Sequence, residues 1–378
     1  MTKHPSHRAS IPLSFHASNH PAFHTSIHPL ISFFGGKKVF LTGVTGFKGA
    51  WLARVLLNAG AKVTGYALEP PTKPSLFELI HLKKQIHSIK GDIRDLSSLK
   101  RAVKNAKPEI VIHMAAQALV RESYKNPVYT YQTNVMGTVN LLESCRGIGS
   151  IRSIVNVTTD KVYENTECGL CYKEDQKLCG YDPYSNSKSC SELVTRSYRD
   201  SFYCSKGAPA VSTARSGNVI GGGDFSKDRL IPDCVRAAIK GKKVIVRNPA
   251  SVRPYQYILD CLSGYLLLAK KQYDKKYQGS YNFGPDKGDT VINAALVRMF
   301  CDEWGNGMAG VNKSDNGPHE AKFLRLDTDK AKKKLGWNPG YNIKKAVKLA
   351  VQWYREYAEK GDILGCMDRQ ISGYFRKG

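Results

Sequence analysis

The sequence predicts an α/β fold in which helices cover both faces of a parallel sheet. Short apolar runs alternate with segments of helical periodicity along the first half of the chain. A glycine-rich turn joins the first apolar run directly to the first helical segment. Strands that alternate with helices form right-handed parallel units, and we therefore expect a doubly wound sheet.

Each predicted element rests on its own pattern of residues. Buried strands are predicted at 37–42, 61–67, 85–90 and 109–113. Helices are predicted at 50–58, 183–202, 329–335 and 343–357. Pro183 is typical of a helix start, and Val347, Val351 and Tyr354 give the last helix an apolar face. We expect the sheet to come mainly from 37–215, and a smaller, interleaved lobe mainly from 216–378.

The glycine-rich turn is typical of a loop that binds a pyrophosphate. Its residues are Gly43, Thr45, Gly46, Phe47, Lys48 and Gly49. The glycines leave backbone N–H groups accessible, and the start of the following helix adds the positive end of its dipole. The sequence therefore predicts a dinucleotide at this edge of a Rossmann-type sheet.

Residues after the third and fourth strands are also predicted to contact the dinucleotide. Asp92 and Ile93 follow the third strand, where the adenine is expected. Ala115, Ala116 and Gln117 follow the fourth strand, beside the ribose and nicotinamide. Asp92 has an alternative role as the cap of the next helix, since aspartate is a favoured cap residue.

Tyr184 and Lys188 are the first candidate catalytic residues. They are four positions apart in a predicted helix, so both side chains lie on one face. A phenol titrates near pH ~10, and an ammonium beside it favours the phenolate. Such a phenolate would take a proton from a sugar hydroxyl near neutral pH. The same spacing also occurs in surface pairs on amphipathic helices, so the pair alone does not establish a site.

Taken together, these motifs resemble the extended short-chain dehydrogenase/reductases, and among them the nucleotide-sugar 4,6-dehydratases that act on CDP-glucose. The resemblance extends over 34–374. Its motifs lie at 42–51, 65–72, 159–165, 180–188, 217–224, 228–233, 247–254 and 319–321. It implies a Rossmann-type fold with a smaller C-terminal substrate-binding lobe, NAD as cofactor, CDP-glucose as substrate and a cytoplasmic location. It also implies a homodimer formed through helices near 131–145 and 185–202.

The activity implied by the resemblance is an internal redox reaction that removes water. Tyr184 would take the proton of the carbon 4 hydroxyl while hydride leaves that carbon for NAD. Water would then be eliminated across carbons 5 and 6, and hydride would return to carbon 6. The product would be CDP-4-dehydro-6-deoxy-D-glucose, with no net change in oxidation state.

Thr159, Asp160 and Lys161 complete the catalytic set that the resemblance implies. Asp160 would be the general acid, provided that burial keeps it protonated near pH 7. Lys161 would be either a neutral base at carbon 5 or a cation that stabilises the enolate. Thr159 would hydrogen-bond the carbon 4 oxygen. Thr158 and Asn134 are expected near the cofactor, Asn134 as a support for the backbone.

The resemblance also implies a set of substrate contacts in the second half of the chain. These residues are Asn218, Arg229, Leu230, Ile231, Arg247 and Arg253. Arginine forks suit the two charges of a pyrophosphate, and Arg253 is the strongest candidate. Each of these arginines taken alone is more typical of a protein surface than of a binding site.

Three positions depart from the pattern of the family. Ala67 ends the second strand where many NAD-preferring relatives have an aspartate, so the sequence leaves the preference between NAD and NADP open. Val44 stands in place of a histidine, and Ser216 in place of an alanine. The last two changes are small, and we expect the activity to tolerate them.

Cysteines in the loop after the catalytic strand raise a zinc interpretation. Cys168, Cys171 and Cys179 supply three ligands, but a structural zinc site needs four and no suitably spaced histidine follows. We therefore expect no metal. The 10 cysteines are scattered through a long chain, which favours a reducing compartment.

Residues 1–36 differ in composition from the rest of the chain. They hold six of the 10 histidines, many serines and no acidic residue, which predicts a disordered arm. The arm lacks the apolar stretch of a secretory signal. Only two of the 57 basic residues lie in it, so the excess over 32 acidic residues belongs to the remaining chain.

The strong positive charge leaves an alternative function open, a nucleic-acid-binding scaffold without chemistry. The lysines are dispersed and do not form aromatic-interleaved stripes, so we expect no specific nucleic-acid partner. No long apolar run is present, so we expect no membrane partner. A nucleotide-sugar 4-epimerase is the other alternative. It shares Tyr184 and Lys188 but has no use for an Asp-Lys pair.

Overall fold

The computed structural model describes residues 28–166, 169, 171–305, 310–313 and 323–376. Its strands are β1 (Lys38–Thr42), β2 (Lys62–Ala67), β3 (His87–Lys90), β4 (Ile110–His113), β5 (Ser153–Val157), β6 (Ala210–Ser216), β7 (Val219–Ile220), β8 (Val244–Arg247), β9 (Val252–Arg253), β10 (Gln256–Tyr257), β11 (Ser280–Phe283), β12 (Val291–Ile292) and β13 (Gly310–Lys313).

The helices of these residues follow the strands in alternation through the first half. They are α1 (Pro29–Ser32), α2 (Phe47–Asn58), α3 (Leu76–Leu79), α4 (Leu96–Ala106), α5 (Val120–Lys125), α6 (Pro127–Tyr131), α7 (Gly137–Cys145), α8 (Pro183–Phe202), α9 (Leu230–Ile239), α10 (Ile258–Lys271), α11 (Asn293–Trp304), α12 (Ile343–Ala358) and α13 (Ile363–Phe375). Single π-helical turns precede α7 and α12.

The central layer is a parallel sheet with the strand order β11-β6-β5-β4-β1-β2-β3. All residues of β4, β5 and β6 are buried, because helices cover both faces of a parallel sheet. The strand order reverses between β1 and β4, and ligands of such sheets bind at the carboxyl ends beside this reversal. The predicted α/β fold is therefore confirmed.

Most predicted elements agree with the structure to within one or two residues. The four early strands are β1 to β4, and the helix predicted at 183–202 is α8, with the same bounds. The helix predicted at 343–357 is α12, whose predicted apolar residues are all buried. The first helix is longer than predicted, because α2 begins at Phe47, inside the glycine-rich motif.

The two halves of the chain are interleaved in the sheet. β11 comes from the second half but pairs with β6 at the edge of the central sheet. α10 packs against β5 and α2, so it covers the sheet formed by the first half. The later segments also form three small strand pairs, β10 with β7, β12 with β9 and β13 with β8.

The prediction that 1–36 is a disordered arm is wrong for its last part. Leu30, Ile31 and Phe34 are buried in the main core, and Phe33 contacts the ring of Tyr273 edge to face. Their apolar side chains favour this burial. The remaining residues, 1–27, lie outside the described part of the chain. Within the described ranges, no helix has both the length and the apolar character to cross a membrane.

Candidate active site

A cavity of about 1100 Å³ lies at the carboxyl ends of the sheet strands. Twenty-two of the predicted site residues line it: Gly43, Thr45, Gly46, Phe47, Lys48, Gly49, Asp92, Ile93, Ala115, Ala116, Gln117, Thr158, Thr159, Lys161, Tyr184, Lys188, Asn218, Arg229, Leu230, Ile231, Arg247 and Arg253. Asp160 and Asn134 lie just behind the cavity wall, buried. The cavity thus joins the predicted cofactor, catalytic and substrate residues.

The glycine-rich turn has the close backbone contacts that a dinucleotide loop requires. Gly43 adopts a positive φ of 73°, and a Cβ there would lie 2.7 Å from the amide nitrogen of Ala115. A Cβ on Gly49 would lie 2.2 Å from the carbonyl oxygen of Gly43. Only glycine fits either position, so the turn exposes its backbone to the cavity at the start of α2. These residues fit a bound pyrophosphate.

Asp92 lies in the cavity wall, and its alternative role as a helix cap is wrong. Its carboxylate accepts hydrogen bonds from the backbone and side chain of Arg94, which lowers the pKa of Asp92. The cap of α4 is Asp95, whose side chain accepts from the amide of Ser98 at 3.0 Å. Asp95 lies three positions after Asp92, and the sequence did not distinguish the two as caps.

The end of β2 carries no acidic residue in the predicted position. Ala67 is buried at the cavity wall, and the nearest carboxylate along the chain is that of Glu69, which also lines the cavity. Glu69 forms an ion pair of 2.7 Å with Lys90, at the end of β3. A carboxylate and an ammonium therefore lie together where the adenosine end is expected.

Asp160 follows β5 in a tight turn and is fully buried. Its Oδ1 accepts hydrogen bonds from Thr159 Oγ1 at 3.0 Å and from Lys161 Nζ at 2.9 Å. Its Oδ2 has no hydrogen-bond partner among the described residues, and a Cβ on Gly217 would lie 2.8 Å from it. Two hydrogen bonds thus fix Oδ1 of Asp160, whereas Oδ2 is available to carry a proton or to accept a hydrogen bond from a ligand.

Tyr184 and Lys188 lie on the first turns of α8, whose start is capped by Asp182. Lys188 Nζ donates to the carbonyl oxygen of Val157 at 3.1 Å. Burial and the nearby charge of Lys48 lower the pKa of Lys188 to about 8. Burial also raises the pKa of Tyr184, against the opposing effect of Lys161. In the protein alone burial outweighs the neighbouring cations, and a phenolate near neutral pH stays a prediction for the enzyme with its cofactor and substrate bound.

Lys48 and Ser216 are connected across the cavity. Lys48 Nζ, on the first turn of α2, donates to Ser216 Oγ at 3.1 Å. Ser216, at the end of β6, is also within 2.5 Å of the hydroxyl of Tyr265. Ser216 is one of the departures from the family pattern, and in this chain its hydroxyl holds a lysine in the site.

Two of the three predicted substrate arginines form ion pairs with carboxylates. Arg229 forms an ion pair of 2.9 Å with the buried Asp224. Arg247 contacts both Asp228 at 2.8 Å and Asp233 at 2.9 Å. These carboxylates orient the guanidinium groups and offset part of their charge, which the sequence did not predict.

The remaining predicted substrate residues border the same end of the cavity. Arg253 donates to the carbonyl oxygen of Val252 at 3.1 Å and lies on β9. Leu230 and Ile231 form the first turn of α9. Asn218 Oδ1 is buried and has no hydrogen-bond partner among the residues described.

Asn134 supports the backbone beside the cavity. Its side chain donates to the carbonyl oxygen of Gln117 at 3.0 Å and accepts from the amide of the same residue at 2.9 Å. It also donates to Ser187 Oγ at 2.9 Å, which connects this segment to α8. Asn134 therefore fixes the wall of the cavity behind the predicted ribose position.

The sequence reasoning missed a buried group behind the catalytic residues. Glu192 and Arg215 form a fully buried ion pair, and Tyr163 joins Arg215. One signal was available, since Glu192 lies four positions after Lys188 on the same helix. The zinc interpretation involved Cys168, which lies outside the described residues. Across the described ranges, no cluster of three or more histidine, cysteine, aspartate or glutamate side chains has the arrangement of a metal site.

Comparison with known proteins places this site in a family. The model of the GDP-mannose 4,6 dehydratase family matches residues 40–350. The CDP-glucose 4,6-dehydratase of Salmonella typhimurium is 45% identical over 349 residues, covering 91% of this chain and 97% of that protein.

Solved structures of lower identity share the fold. A dTDP-glucose 4,6-dehydratase from Streptomyces venezuelae, with NAD bound, has a TM-score of 0.73 at 24% identity and covers 86% of this chain and 99% of its own. A UDP-glucose 4-epimerase from Thermotoga maritima has a TM-score of 0.74 at 22% identity, covering 84% and 99%. The chain belongs to the GDP-mannose 4,6 dehydratase family, within the extended short-chain dehydrogenase/reductases that its motifs resemble.

Proposed function

We propose that this enzyme uses NAD to convert CDP-glucose into CDP-4-dehydro-6-deoxy-D-glucose by removal of water. The observation that carries the proposal is the meeting of two pairs at one cavity: Asp160, just behind its wall, with Lys161, which lines it, and Tyr184 with Lys188, which both line it. The 45% identity to a CDP-glucose 4,6-dehydratase supports the choice of the CDP sugar. An epimerase needs only the second pair.

NAD is the cofactor of the proposed reaction; the glycine-rich turn would hold its pyrophosphate, and Asp92 would lie at its adenosine end. When bound, it accepts a hydride from carbon 4 of the sugar and returns it to carbon 6. The chain itself orients the sugar, excludes water and moves protons. The glycines that admit no Cβ, and the cavity that continues to Tyr184, support this assignment.

Tyr184 would take the proton of the carbon 4 hydroxyl. Its pKa is raised by burial in the protein alone, and Lys161 and Arg229 act in the opposite direction. The positive charge of the nicotinamide of bound NAD would also lower the pKa of Tyr184 if it lay nearby, because a positive charge favours the phenolate. Lys188 stays hydrogen-bonded to the carbonyl oxygen of Val157. The Thr159 hydroxyl, which donates to Asp160 Oδ1 in the protein alone, would turn to donate to the carbon 4 oxygen.

Asp160 and Lys161 would carry out the elimination of water. The unpartnered Oδ2 of Asp160 is the position for the proton that the carbon 6 hydroxyl receives as it leaves. The Lys161 side chain is 28% exposed, and its Nζ donates to Oδ1 of Asp160. As a neutral amine, Lys161 would take the proton that carbon 5 loses; the ammonium formed would stabilise the negative charge of the enolate and return the proton to carbon 5 when hydride reaches carbon 6.

The diphosphate of the substrate would be bound by Arg229, Arg247 and Arg253. Arginine forks match phosphate oxygens in geometry and charge. The ion pairs with Asp224, Asp228 and Asp233 keep two of these forks in place.

The homodimer and the cytoplasmic location belong to the same proposal. α6 and α8 pack against each other, and several of their apolar side chains and those of the adjoining π turn are exposed: Val128, Met136, Leu193 and Phe202. Such a surface fits a second copy of the chain. Measurement of the molecular mass in solution tests the dimer.

The test of function is incubation of the purified protein with CDP-glucose and, separately, with UDP-, dTDP- and GDP-sugars, with NAD added. We expect a product lighter by one water from CDP-glucose alone. Tyr184→Phe should abolish it, and Asp160→Asn should reduce it by about 10²-fold or more, since an acid group is lost from the site. Tyr198→Phe, on the same helix but outside the cavity, is the matched control and should retain activity. Inversion at carbon 4 without loss of water would instead identify an epimerase.

A further inference from the structure

A fully buried ion pair lies directly behind the catalytic loop, defined here as residues 158–163. The side chains of Arg215 and Glu192 are each 2% exposed. Arg215 Nε donates to Glu192 Oε1 at 2.9 Å, and Nη2 donates to Oε2 at 2.8 Å. Desolvation makes such a pair a poor source of net stability. The side chains that the pair contacts, those of Thr158 and Tyr163, indicate a role in positioning the loop.

Glu192 holds the first residue of the loop. Thr158 Oγ1 donates to Glu192 Oε1 at 2.5 Å, and Thr213 Oγ1 donates to Oε2 at 2.6 Å. Burial opposes the negative charge, but Arg215 and these hydroxyl groups lower the pKa of Glu192 overall. Glu192 is therefore a carboxylate that accepts from Thr158 without competition from water.

Arg215 holds the last residue of the loop. Its Nη1 donates to the hydroxyl oxygen of Tyr163 at 2.7 Å, and the guanidinium lies 5.0 Å from the centre of the tyrosine ring. The Tyr163 hydroxyl in turn donates to Asn282 Oδ1 at 2.7 Å. Arg215 Nη1 also donates to the carbonyl oxygen of Glu174 at 3.0 Å. The guanidinium thus connects the end of the loop to the segment that follows it, and the Tyr163 hydroxyl connects it to β11.

Both ends of the catalytic loop are therefore attached to one rigid pair, and the reacting groups lie between them. We propose that Glu192 and Arg215 are positioning residues that keep Asp160 and Lys161 in place beside Tyr184 during the reaction. This inference rests on the proposed dehydration, whose rate is its readout. A displacement of about 1 Å in a catalytic group lowers a rate by as much as about 10²-fold. A loop held at both ends resists such displacement when charge moves through the site.

Tyr163→Phe is the variant that tests the proposal. It removes the hydroxyl between Arg215 and Asn282, keeps the ring, and leaves the ion pair intact. We expect kcat for loss of water to fall about tenfold or more, with KM within about threefold, because the diphosphate contacts are unchanged. Tyr172→Phe is the matched control. Its ring stacks on Tyr163 at 5.1 Å, but its hydroxyl donates to Asn165, outside the loop.

The outcomes separate this inference from the proposed function. No loss of water with the wild-type enzyme would refute the function. If the wild-type enzyme is active and the kcat of Tyr163→Phe is within about twofold of the wild-type value, the positioning role is overturned and the proposed function stands. An equal loss in Tyr172→Phe would also overturn it, since a general loss of packing would then explain both variants. Thermal melting and NAD binding, followed by fluorescence, show whether each variant is folded.

A second pair of variants decides the matter if Tyr163→Phe does not fold. Thr158→Val removes the donor to Glu192, and Thr158→Ser retains it. We expect Thr158→Val to lose kcat as Tyr163→Phe does, and Thr158→Ser to recover most of that loss. A defect of equal size in both variants would contradict the role of the hydrogen bond to Glu192.

Discussion

Asp260 provides a quantitative test of the electrostatics of the core. It lies on the first turn of α10 and is fully buried. Its Oδ1 accepts from the hydroxyl of Tyr374 at 2.7 Å and from the amide of Gly340 at 2.5 Å. Its Oδ2 has no hydrogen-bond partner among the described residues. Burial raises the pKa of Asp260 from 3.8 to about 6, although these two donors oppose the shift.

This shift makes the stability of the protein depend on pH. The folded state binds the proton of Asp260 more tightly than the unfolded chain, so the contribution is fully present below pH 3.8 and is lost as the pH rises through about 6. One pKa unit corresponds to about 1.4 kcal/mol, so the change across this range is about 3 kcal/mol. Asp260→Asn removes the titrating group. At pH 4 part of this contribution is already lost, so the free energy of unfolding of the variant, relative to wild type, should rise by about 2 kcal/mol between pH 4 and pH 7.

The assay is urea unfolding of wild type and Asp260→Asn at several pH values between 4 and 7. The exposed Asp302→Asn on α11 is the control for the loss of one negative charge. The amide of Asp260→Asn introduces a donor at the position of Oδ2, which shifts the whole curve by a constant amount but leaves its slope with pH. A difference between variant and wild type that does not change with pH would refute the reasoning.

Two further predictions concern the site itself. Because burial and Lys48 lower the pKa of Lys188 to about 8, kcat should fall as the pH rises through about 8 and the lysine loses its charge. Lys48→Met should move this fall to higher pH, and an unchanged pH–rate profile would contradict the influence of Lys48. Gly217→Ala would place a Cβ 2.8 Å from Asp160 Oδ2 and should lower kcat about tenfold or more. Gly288→Ala, in open space, should not change the rate; equal rates for the two variants would show that the Asp160 side chain is not crowded.

Local sequence patterns predicted the elements and the position of the site, but not how burial changes its chemistry. The spacing of Tyr184 and Lys188 placed both on α8, whereas the raised pKa of Tyr184 depends on segments far away in the sequence. Asp92 and Asp95 have the same side chain, and only the backbone after β3 determines which of them caps α4.

Long-range pairing also limited the prediction of the residues around the site. The pairing of Glu192 with Arg215 joins a helix to a strand that follows it, so no local pattern reports it. The same holds for Arg247, whose two carboxylate partners come from the segment at the start of α9 and from its first turn. Sequence patterns identify such residues one at a time, and the fold determines their partners.

The position of β11 has a consequence for the synthesis of the chain. β6 is complete at Ser216, but its outer edge is covered only when β11, at Ser280–Phe283, has been made and folded back. Until then the growing chain presents an unpaired strand edge, which is a site of aggregation. A cut between 215 and 216 would leave the first fragment with that exposed edge permanently. We therefore expect the two halves of the chain to fold as one unit, and neither half to fold when it is fused alone to another protein.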